Sequence, residues 1–512
     1  MPKTPPPRLF FRNAAQLLTL SGPPVPRRGA ALGELGIIAR GGVLTEGETI
    51  LRVCSTRSLE REAVRLGAEA IDCDGRVVMP GFVDSHTHLI FAGSRVNDYE
   101  LRLRGKTYEE IAQAGGGIQS SASKLENASI QSLAKQASGF LEQFAAHGTT
   151  TLEMKSGYGL EIEQELKILR TIRKLQEETP LELVPTLMAL HALPASFKGR
   201  SAQYVDEVIE RLIPAAAGVA IASGVVPVTK GYGKTQGHCH SEEPSGNEES
   251  RLVLKRRRAR SFAAAQDDSM GASCRSLMSL AQAALPTKSG EASGGATTAT
   301  TPESQAGRER LAEFIDCFCD RGAFSVEDCR RVLQAGRKFG LTPRIHAEQL
   351  ARTGATRLGI ECGAASADHL DKLSAPDIRA LAQSSVVATL LPGANFHLGL
   401  KQYPPARKLI DAGAAVALAT DFNPGTSPTL NMQFILSLAC DQMRMTPAEA
   451  ITASTLNAAH ALRRAHRIGS LETGKQADLI ALDVCDYREI PYYFAMNHCV
   501  MTVKRGTVVY AH

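Results

Sequence analysis

Apolar residues in the middle of the chain recur in short, nearly continuous runs, most of them separated by stretches with helical character. Eight such runs lie at residues 77–88, 149–156, 182–192, 314–320, 342–349, 363–370, 385–394 and 414–425. Continuous apolar runs of this length predict strands covered on both faces, as in a parallel sheet. Eight strands alternating with helices predict an α/β fold, a (β/α)8 barrel of the TIM type.

Both ends of the chain have a different pattern, in which short β-like runs are punctuated by glycine. LGIIARGGVL near the start and CVMTVKRGTVVY near the end are examples. Such runs predict that the two ends share one small sheet. We therefore expect a small β-sandwich domain built from residues 1–78 and 460–512, and a barrel built from residues 79–459.

Residues 218–308 interrupt this pattern with Gly, Ser, Thr, Ala, Pro and charged residues. A segment of this composition buries little apolar surface, so we expect a largely disordered, low-complexity insertion between the third and fourth barrel strands. Its HCH motif at 238–240 is better explained as adventitious than as a metal site. Its basic run at 251–260 is better explained as a solvated charge cluster than as a binding site for acidic polymers.

The composition indicates a globular protein but does not identify a binding partner. The chain has 512 residues, of which 43% are hydrophobic and 22% charged, and its formal net charge is +5. These values are typical of a globular protein, and the charge is too small to indicate a nucleic acid or a membrane as partner. We expect no signal peptide and no membrane span, since no apolar run reaches about 18 residues. Eleven cysteines without a C-x-x-C pair favour a reducing cytoplasm.

Polar residues with metal-binding chemistry lie where the predicted strands end. They are His86 and His88 after the first strand, His191 after the third, His346 in the fifth, His369 after the sixth and Asp421 after the eighth. The carboxyl ends of barrel strands meet around one cavity, and histidines at i and i+2 on an extended segment point the same way. Imidazoles with a carboxylate opposite suit zinc or a similar first-row ion. The sequence therefore predicts a metal site formed by His86, His88, His346 and Asp421.

Hydrolysis is the reaction that such a site favours, because a bound metal ion lowers the pKa of water. Asp421 is placed to take a proton from that water, and His369 to polarise the attacked carbonyl or to move the proton onward. We expect a single ion, since the fourth strand has no lysine to bridge a second one. Asp316 and Asp320 in that strand are interpreted as structural.

Two residues in the loops after the strands are suited to hold a ligand. Arg95 follows the first strand, and its guanidinium can bind a carboxylate through two parallel hydrogen bonds. Tyr158 lies between glycines in KSGYGL after the second strand, where its ring can contact a bound molecule. Arg102 and Arg104 are better explained as surface charges of a helix.

Several motifs taken together resemble the imidazolonepropionase family, within the metal-dependent amidohydrolase superfamily. They are PGFVDSHTHLIFAGSR, YEEIAQAGGGI, EMKSGYGL, ALHALP, HAEQL, SADHL, LLPGANF and ATDFNPGTSPTLNM, and the resemblance covers residues 30–217 and 309–510. It implies hydrolytic opening of 4-imidazolone-5-propanoate to N-formimidoyl-L-glutamate in histidine degradation, with one zinc or iron ion per subunit. It also implies a homodimer.

The resemblance assigns roles to individual residues. His86, His88, His346 and Asp421 correspond to the metal ligands, and Asp421, His369 and Gln349 to the catalytic positions. The positions of substrate and product contacts are occupied by Arg95, Tyr158, His191, Gln349, Asn423, Gly425 and Thr426. Gln349 stands where some relatives have a glutamate, so we expect its amide to orient the substrate rather than to transfer protons.

Two other interpretations of the sequence stay open. A different amidohydrolase, such as a deaminase or a cyclic amidase, would act on a heterocycle that lacks the propionate. A barrel retained as a scaffold or interaction protein is expected to lack metal ligands, whereas all four candidates are present in this chain.

Overall fold

The computed structural model describes residues 6–107, 110–111, 114–219 and 309–512. The predicted insertion, with its HCH motif and its basic run, lies outside the described residues except for positions 218 and 219. The strands are β1 Arg8–Leu18, β2 Ile37–Glu46, β3 Thr49–Ser55, β4 Glu69–Asp72, β5 Val77–Pro80, β6 Phe82–Asp84, β7 Thr149–Lys155, β8 Glu182–Leu190, β9 Phe314–Cys319, β10 Thr342–Pro343, β11 Ile345–Ala347, β12 Ser366–His369, β13 Val387–Leu390, β14 Val416–Leu418, β15 Leu479–Leu482, β16 Cys499–Lys504 and β17 Thr507–Ala511.

Helices follow most of the barrel strands and cover the barrel from outside. The helices are Thr56–Leu66, Val96–Leu103, Gly117–Glu126, Ile130–Ala146, Ile162–Glu178, Ser201–Glu207, Ile213–Ala216, Val326–Lys338, Ala355–Glu361, Ala375–Ala382, Pro392–His397, Ala406–Asp411, Met432–Met443, Pro447–Ala453, Leu456–Ala461 and Glu489–Tyr492, with a π-helical turn at Val208–Leu212. Capping boxes fix where some of them begin. At Val326–Lys338 the Ser325 hydroxyl accepts from the Asp328 N–H, and the Asp328 carboxylate accepts in return from the Ser325 N–H.

Within the described ranges, no helix has both the length and the apolar character that a membrane span requires.

The predicted eight-stranded parallel barrel is confirmed. Its sheet runs in the order β14, β13, β12, β11, β9, β8, β7 and β6, with the short β10 beside β9. The first and last strands meet just beyond their carboxyl ends, where the His88 N–H donates to the Phe422 carbonyl over 2.9 Å and the Asp421 N–H to the His86 carbonyl over 3.0 Å. The closure of the barrel therefore places the H-T-H segment directly beside Asp421.

A second sheet is built from both ends of the chain, as predicted. Its strands follow the order β17, β16, β15, β5, β1, β2 and β3, with β4 paired to β1. Side chains from all eight strands form one apolar core, which includes Phe11, Val43, Val78, Leu479 and Val503. The domain boundaries at residues 78/79 and 459/460 remain predictions.

The first predicted strand, 77–88, is divided between the two sheets. β5 belongs to the small sheet and β6 to the barrel, and Gly81 separates them. A Cβ atom on Gly81 would lie 2.2 Å from Cγ2 of Thr150, so only glycine allows the chain to pass β7 this closely. The apolar pattern continues through this point because both short strands are buried.

Candidate metal centre and active site

Four side chains from distant parts of the sequence converge at the carboxyl end of the barrel. Nε2 of His86 lies 3.6 Å from Oδ1 of Asp421, and Nε2 of His88 lies 3.9 Å from the same oxygen. Nε2 of His346 lies 3.4 Å from Nε2 of His88. All four side chains are almost completely buried. The structure thus brings together the four residues that the sequence predicts as metal ligands.

The donor set suits a metal ion. Nδ1 of His86 lies 2.7 Å from the Asp368 carboxylate, so it carries the proton, and the unprotonated Nε2 is buried with no hydrogen-bond partner among the described residues. His88 and His346 face each other through Nε2 at a distance where a shared cation satisfies both nitrogens. The ligand atoms of His86, His88 and His346 all lie within 4.8 Å of one another, and so do those of His86, His369 and Asp421.

Two of the strand ends that carry these groups have a strained backbone. His369 has φ of 75° and Asp421 has φ of 54°, both in the left-handed region that side chains other than glycine rarely adopt. Each such residue costs about 1–3 kcal/mol and persists only where the surroundings hold it. The strain is consistent with side chains that are directed into a site rather than relaxed into their preferred conformations.

Burial favours the neutral forms of His86, His88, His369 and Asp421. Burial lowers the pKa of His86, His88 and His369 well below the usual value for histidine, and neighbouring positive groups lower it further. Burial raises the pKa of Asp421 well above its usual value, although the positive charge of Lys155 opposes this. Neutral imidazoles are the form that binds metal, and a bound cation stabilises the ionised form of Asp421.

Arg95 is held in one orientation against the loop that follows Asp421. Its Nε donates to Oδ2 of Asp98 over 2.8 Å, and the same oxygen accepts from the Gly117 N–H over 2.9 Å. On its other side lies Gly425, where a Cβ would come within 2.3 Å of Nη1 of Arg95. The Nε bond to Asp98 leaves both terminal nitrogens of the guanidinium available for a ligand carboxylate.

The rings of Tyr158 and His191 lie beside the predicted metal ligand His88. The His191 ring stacks on His88 with centroids 5.2 Å apart, and the Tyr158 ring lies 5.9 Å from His88. Nδ1 of His191 donates to the Gly157 carbonyl over 2.8 Å, which leaves its Nε2 as an acceptor. Burial lowers the pKa of His191 to about 4, so the ring is neutral near pH 7. Both residues therefore lie beside the predicted metal ligand His88, and their contact with a bound molecule remains a prediction.

Asn423 has its amide engaged within its own loop. Its Nδ2 donates to the Asp421 carbonyl over 2.6 Å, and its Oδ1 accepts from the N–H groups of Gly425 and Thr426 over 2.8 and 2.7 Å. These bonds fix the turn after Asp421. The amide of Asn423, predicted to contact the substrate, is thus already hydrogen-bonded within the protein. The loop that it stabilises contains Asp421 and Gly425.

The carboxylate of Glu348, next to the predicted contact Gln349, turns away from the metal centre. It accepts from the N–H groups of Gly354 and Thr356, both over 2.9 Å, at the start of the helix Ala355–Glu361. Gln349 therefore remains the candidate for contact with a ligand, because the Glu348 carboxylate is already hydrogen-bonded to the start of a helix.

Comparisons with known proteins assign this arrangement to a family. The sequence model of the Amidohydrolase family matches residues 69–510. An imidazolonepropionase of Geobacillus kaustophilus is 38% identical over 504 residues, which are 98% of this chain and 97% of that protein. An imidazolonepropionase of Solibacter usitatus is 38% identical over 498 residues, which are 97% of each chain. The chain belongs to the imidazolonepropionase family of amidohydrolases.

Solved structures share the fold of this imidazolonepropionase family member at low sequence identity. An adenosine deaminase from Xanthomonas campestris with bound zinc matches with a TM-score of 0.58 and 14% identity, over 99% of this chain and 93% of that chain. Guanine deaminase of E. coli matches with a TM-score of 0.59 and 12% identity, over 99% of both chains. At these identities the likeness shows the fold alone.

Sequence reasoning missed the residues that support the site of this imidazolonepropionase family member. Asp98, on the helix Val96–Leu103, looks like an ordinary surface charge in the sequence. Asp368 lies directly before His369, and its bond to His86 depends on a barrel neighbour 282 positions away. Asp316, which the sequence predicts to be structural, has its carboxylate 3.1 Å from Nδ1 of His346. Asp320 has the structural role expected, since it accepts from the N–H groups of residues 350 and 351.

Proposed function

We propose that the chain hydrolyses 4-imidazolone-5-propanoate to N-formimidoyl-L-glutamate, a step of histidine degradation. The observation that carries the proposal is the 38% identity to relatives named imidazolonepropionase over 98% of the chain. The site supports it with a metal-binding donor set and with Arg95, which lies against Gly425 in the loop that follows Asp421. In the reaction, water adds to the ring carbonyl, the bond between that carbon and the ring nitrogen breaks, and the nitrogen takes up a proton.

We propose that His86, His88, His346 and Asp421 hold one zinc or iron ion per subunit. When bound, the metal supplies Lewis acidity, which lowers the pKa of water and polarises a carbonyl. Asp421 accepts the proton that the attacking water loses. His369, neutral because it is buried, donates a hydrogen bond to the carbonyl oxygen as negative charge develops there.

We propose that Arg95 binds the propionate of the substrate and that the other predicted contacts surround the ring. Arg95 is only 12% exposed, so its charge acts in a partly dehydrated setting where pairing with a carboxylate is favourable. Tyr158 and His191 pack beside the ring, and Gln349 orients it. Gly425 and Thr426, in the loop held by Asn423, complete the pocket.

The homodimer and the cytoplasmic location remain predictions. Exposed aromatic and apolar side chains at Tyr492, Phe494 and Met496 supply a candidate surface for a second copy of the chain. Every cysteine in the described ranges is a free thiol, as expected in a reducing compartment.

Turnover of 4-imidazolone-5-propanoate tests the proposed function directly. The purified protein is stripped with a chelator, reloaded with Zn²⁺ or Fe²⁺, and assayed for N-formimidoyl-L-glutamate by mass spectrometry. We expect product only after reloading. Metal-loaded protein that leaves this substrate unchanged but releases ammonia from another heterocycle would support the deaminase alternative instead.

Loss of the Arg95 guanidinium is expected to raise KM much more than it lowers kcat. Arg95→Ala removes the cation that pairs with the propionate, and we expect kcat/KM to fall about 100-fold, equivalent to about 3 kcal/mol of a charge-assisted contact. Arg104→Ala is the matched control, because Arg104 lies near Arg95 in the sequence but its side chain is 70% exposed. Steady-state kinetics on the reloaded proteins measures both parameters.

A methyl group at residue 425 provides a milder test of the same contact. In Gly425→Ala the new Cβ overlaps Nη1 of Arg95, and the guanidinium shifts because it is the flexible end of a side chain. We expect KM to rise roughly 10-fold with little change in thermal stability, since a displacement near 1 Å can cost up to about 100-fold. An unchanged KM in both variants would show that Arg95 does not bind the substrate.

A further inference from the structure

One buried lysine lies beneath the metal centre and contacts several carboxylates at once. Lys155 ends β7 and is 1% exposed. Its Nζ lies 2.6 Å from Oε1 of Glu153, 2.7 Å from Oδ2 of Asp316 and 3.8 Å from Oδ2 of Asp368. Interior positions of such barrels are usually filled by apolar branched side chains, so a charged layer at this depth requires a reason.

Two of these carboxylates support histidines of the metal centre. Oδ2 of Asp368 accepts from Nδ1 of His86 over 2.7 Å, and Oδ2 of Asp316 lies 3.1 Å from Nδ1 of His346. A carboxylate at Nδ1 fixes the tautomer and the ring orientation of a histidine ligand and increases its basicity. Nζ of Lys155 contacts Asp316 and Asp368 through Oδ2, the same oxygen of each carboxylate that faces a histidine.

The third carboxylate holds the backbone of the H-T-H segment. Oε2 of Glu153 accepts from the N–H of Thr87 over 3.2 Å, and the Glu153 carbonyl accepts from the Thr87 hydroxyl over 2.6 Å. The Lys155 N–H donates in turn to the Thr87 carbonyl over 2.9 Å. Thr87 lies between His86 and His88, so these bonds determine where both histidines emerge.

A second buried cation, Arg344, contacts two of the three carboxylates. Its Nη2 lies 3.1 Å from Oδ2 of Asp368, and its Nε lies 3.9 Å from Oε1 of Glu153. Among the described residues, Lys155 is the cation whose side chain contacts all three carboxylates. Removing one partner of a buried ion pair leaves an uncompensated charge, so the loss of Lys155 would release the carboxylates from their present positions.

We propose that Lys155 is a positioning residue that holds the three carboxylates on which His86, His88 and His346 depend for their position. It thereby sets the affinity of the site for its metal ion. This inference rests on the metal centre of the proposed function and adds a residue that touches neither metal nor substrate. Its effect passes through Glu153, Asp316 and Asp368, and one ammonium group couples the histidines that follow β6 to the histidine of β11.

Zinc affinity measured without substrate tests this role. In Lys155→Gln we expect the dissociation constant for Zn²⁺, from competition with a chromogenic chelator, to rise about 10- to 100-fold per folded molecule, as is usual when a group that supports metal ligands is lost. The absorption spectrum of the Co²⁺-loaded protein should shift as well, because the ligand rings lose their fixed orientation.

A second buried lysine provides the matched control. Lys504 is 2% exposed and lies 2.7 Å from Asp478 in the small sheet, so Lys504→Gln also removes a buried cation. We expect Lys504→Gln to lower thermal stability and to leave zinc affinity unchanged. If Lys155→Gln does not fold, Lys155→Met combined with Asp316→Asn removes a cation and an anion together. Its zinc binding is compared with that of Asp316→Asn alone, and we expect weaker binding in the double variant because the two proteins differ only in the lysine.

The outcomes separate this inference from the proposed function. Zinc affinity equal to that of the wild type in the folded Lys155 variants would overturn the role of Lys155, even if the wild type turns over imidazolonepropionate. Conversely, a wild type that binds zinc but does not turn over this substrate would refute the proposed function alone. Weaker zinc binding confined to the Lys155 variants supports the inference.

Discussion

Replacing Asp421 with asparagine is expected to lower kcat by about 1000-fold at saturating metal. In the proposed reaction the Asp421 carboxylate accepts the proton of the attacking water, and an amide cannot. Loss of a positioned general base typically costs about 100- to 10,000-fold. The carboxylate also lies within 3.6 Å of Nε2 of His86, so the variant should bind its metal more weakly in addition. Kinetics with increasing metal separates the two effects, because only the weaker binding is restored by excess metal.

Asparagine is the replacement that preserves the local structure. Residue 421 has φ of 54°, and asparagine tolerates this region better than alanine does. The backbone bonds of residue 421 to His86 and Asn423 do not involve its carboxylate. Asp320→Asn is the control, since Asp320 is a buried aspartate at the end of β9 that caps backbone N–H groups. A kcat of Asp421→Asn close to that of the control would contradict the assignment.

Removal of the His369 ring is expected to lower kcat by about 100- to 1000-fold. This is the usual cost of losing one donor to a developing oxyanion. His369→Asn suits the test because φ at residue 369 is 75°, which asparagine again tolerates. KM should change much less than kcat, because the contact strengthens only as charge develops.

Metal content decides between two roles for His369. One group of possible ligands contains His369 together with His86 and Asp421, so a direct metal contact is the competing assignment. If His369 acts only as a hydrogen-bond donor, its replacement leaves the metal ligands intact. We therefore expect His369→Asn to keep one ion per subunit. Metal content that falls together with kcat would show instead that His369 is a ligand.

The arrangement of the site follows from the sequence because a parallel barrel has a simple geometric rule. Every strand ends at the same face, so polar residues at strand ends meet even when they are hundreds of positions apart. This rule predicts the convergence of His86, His88, His346 and Asp421, and the structure brings them together. The motif H-T-H also predicts where its side chains point, because residues at i and i+2 of an extended segment project from the same side of the chain.

The supporting residues could not be predicted in this way, because their roles depend on tertiary neighbours. Lys155 looks like another polar residue at a strand end, yet its ammonium lies in the layer beneath the cavity. Glu348 lies two positions from His346, yet a left-handed backbone turns it towards the next helix. Gly81 is one glycine within an apolar run, and only the packing against Thr150 shows that it divides two sheets.

A crystal of the metal-reloaded protein, measured at the absorption edge of the added metal, locates the ion. We expect one anomalous peak per subunit, within about 2.0–2.2 Å of Nε2 of His86, His88 and His346 and of a carboxylate oxygen of Asp421. A peak that lies away from these four side chains, or two peaks between them, would contradict this expectation.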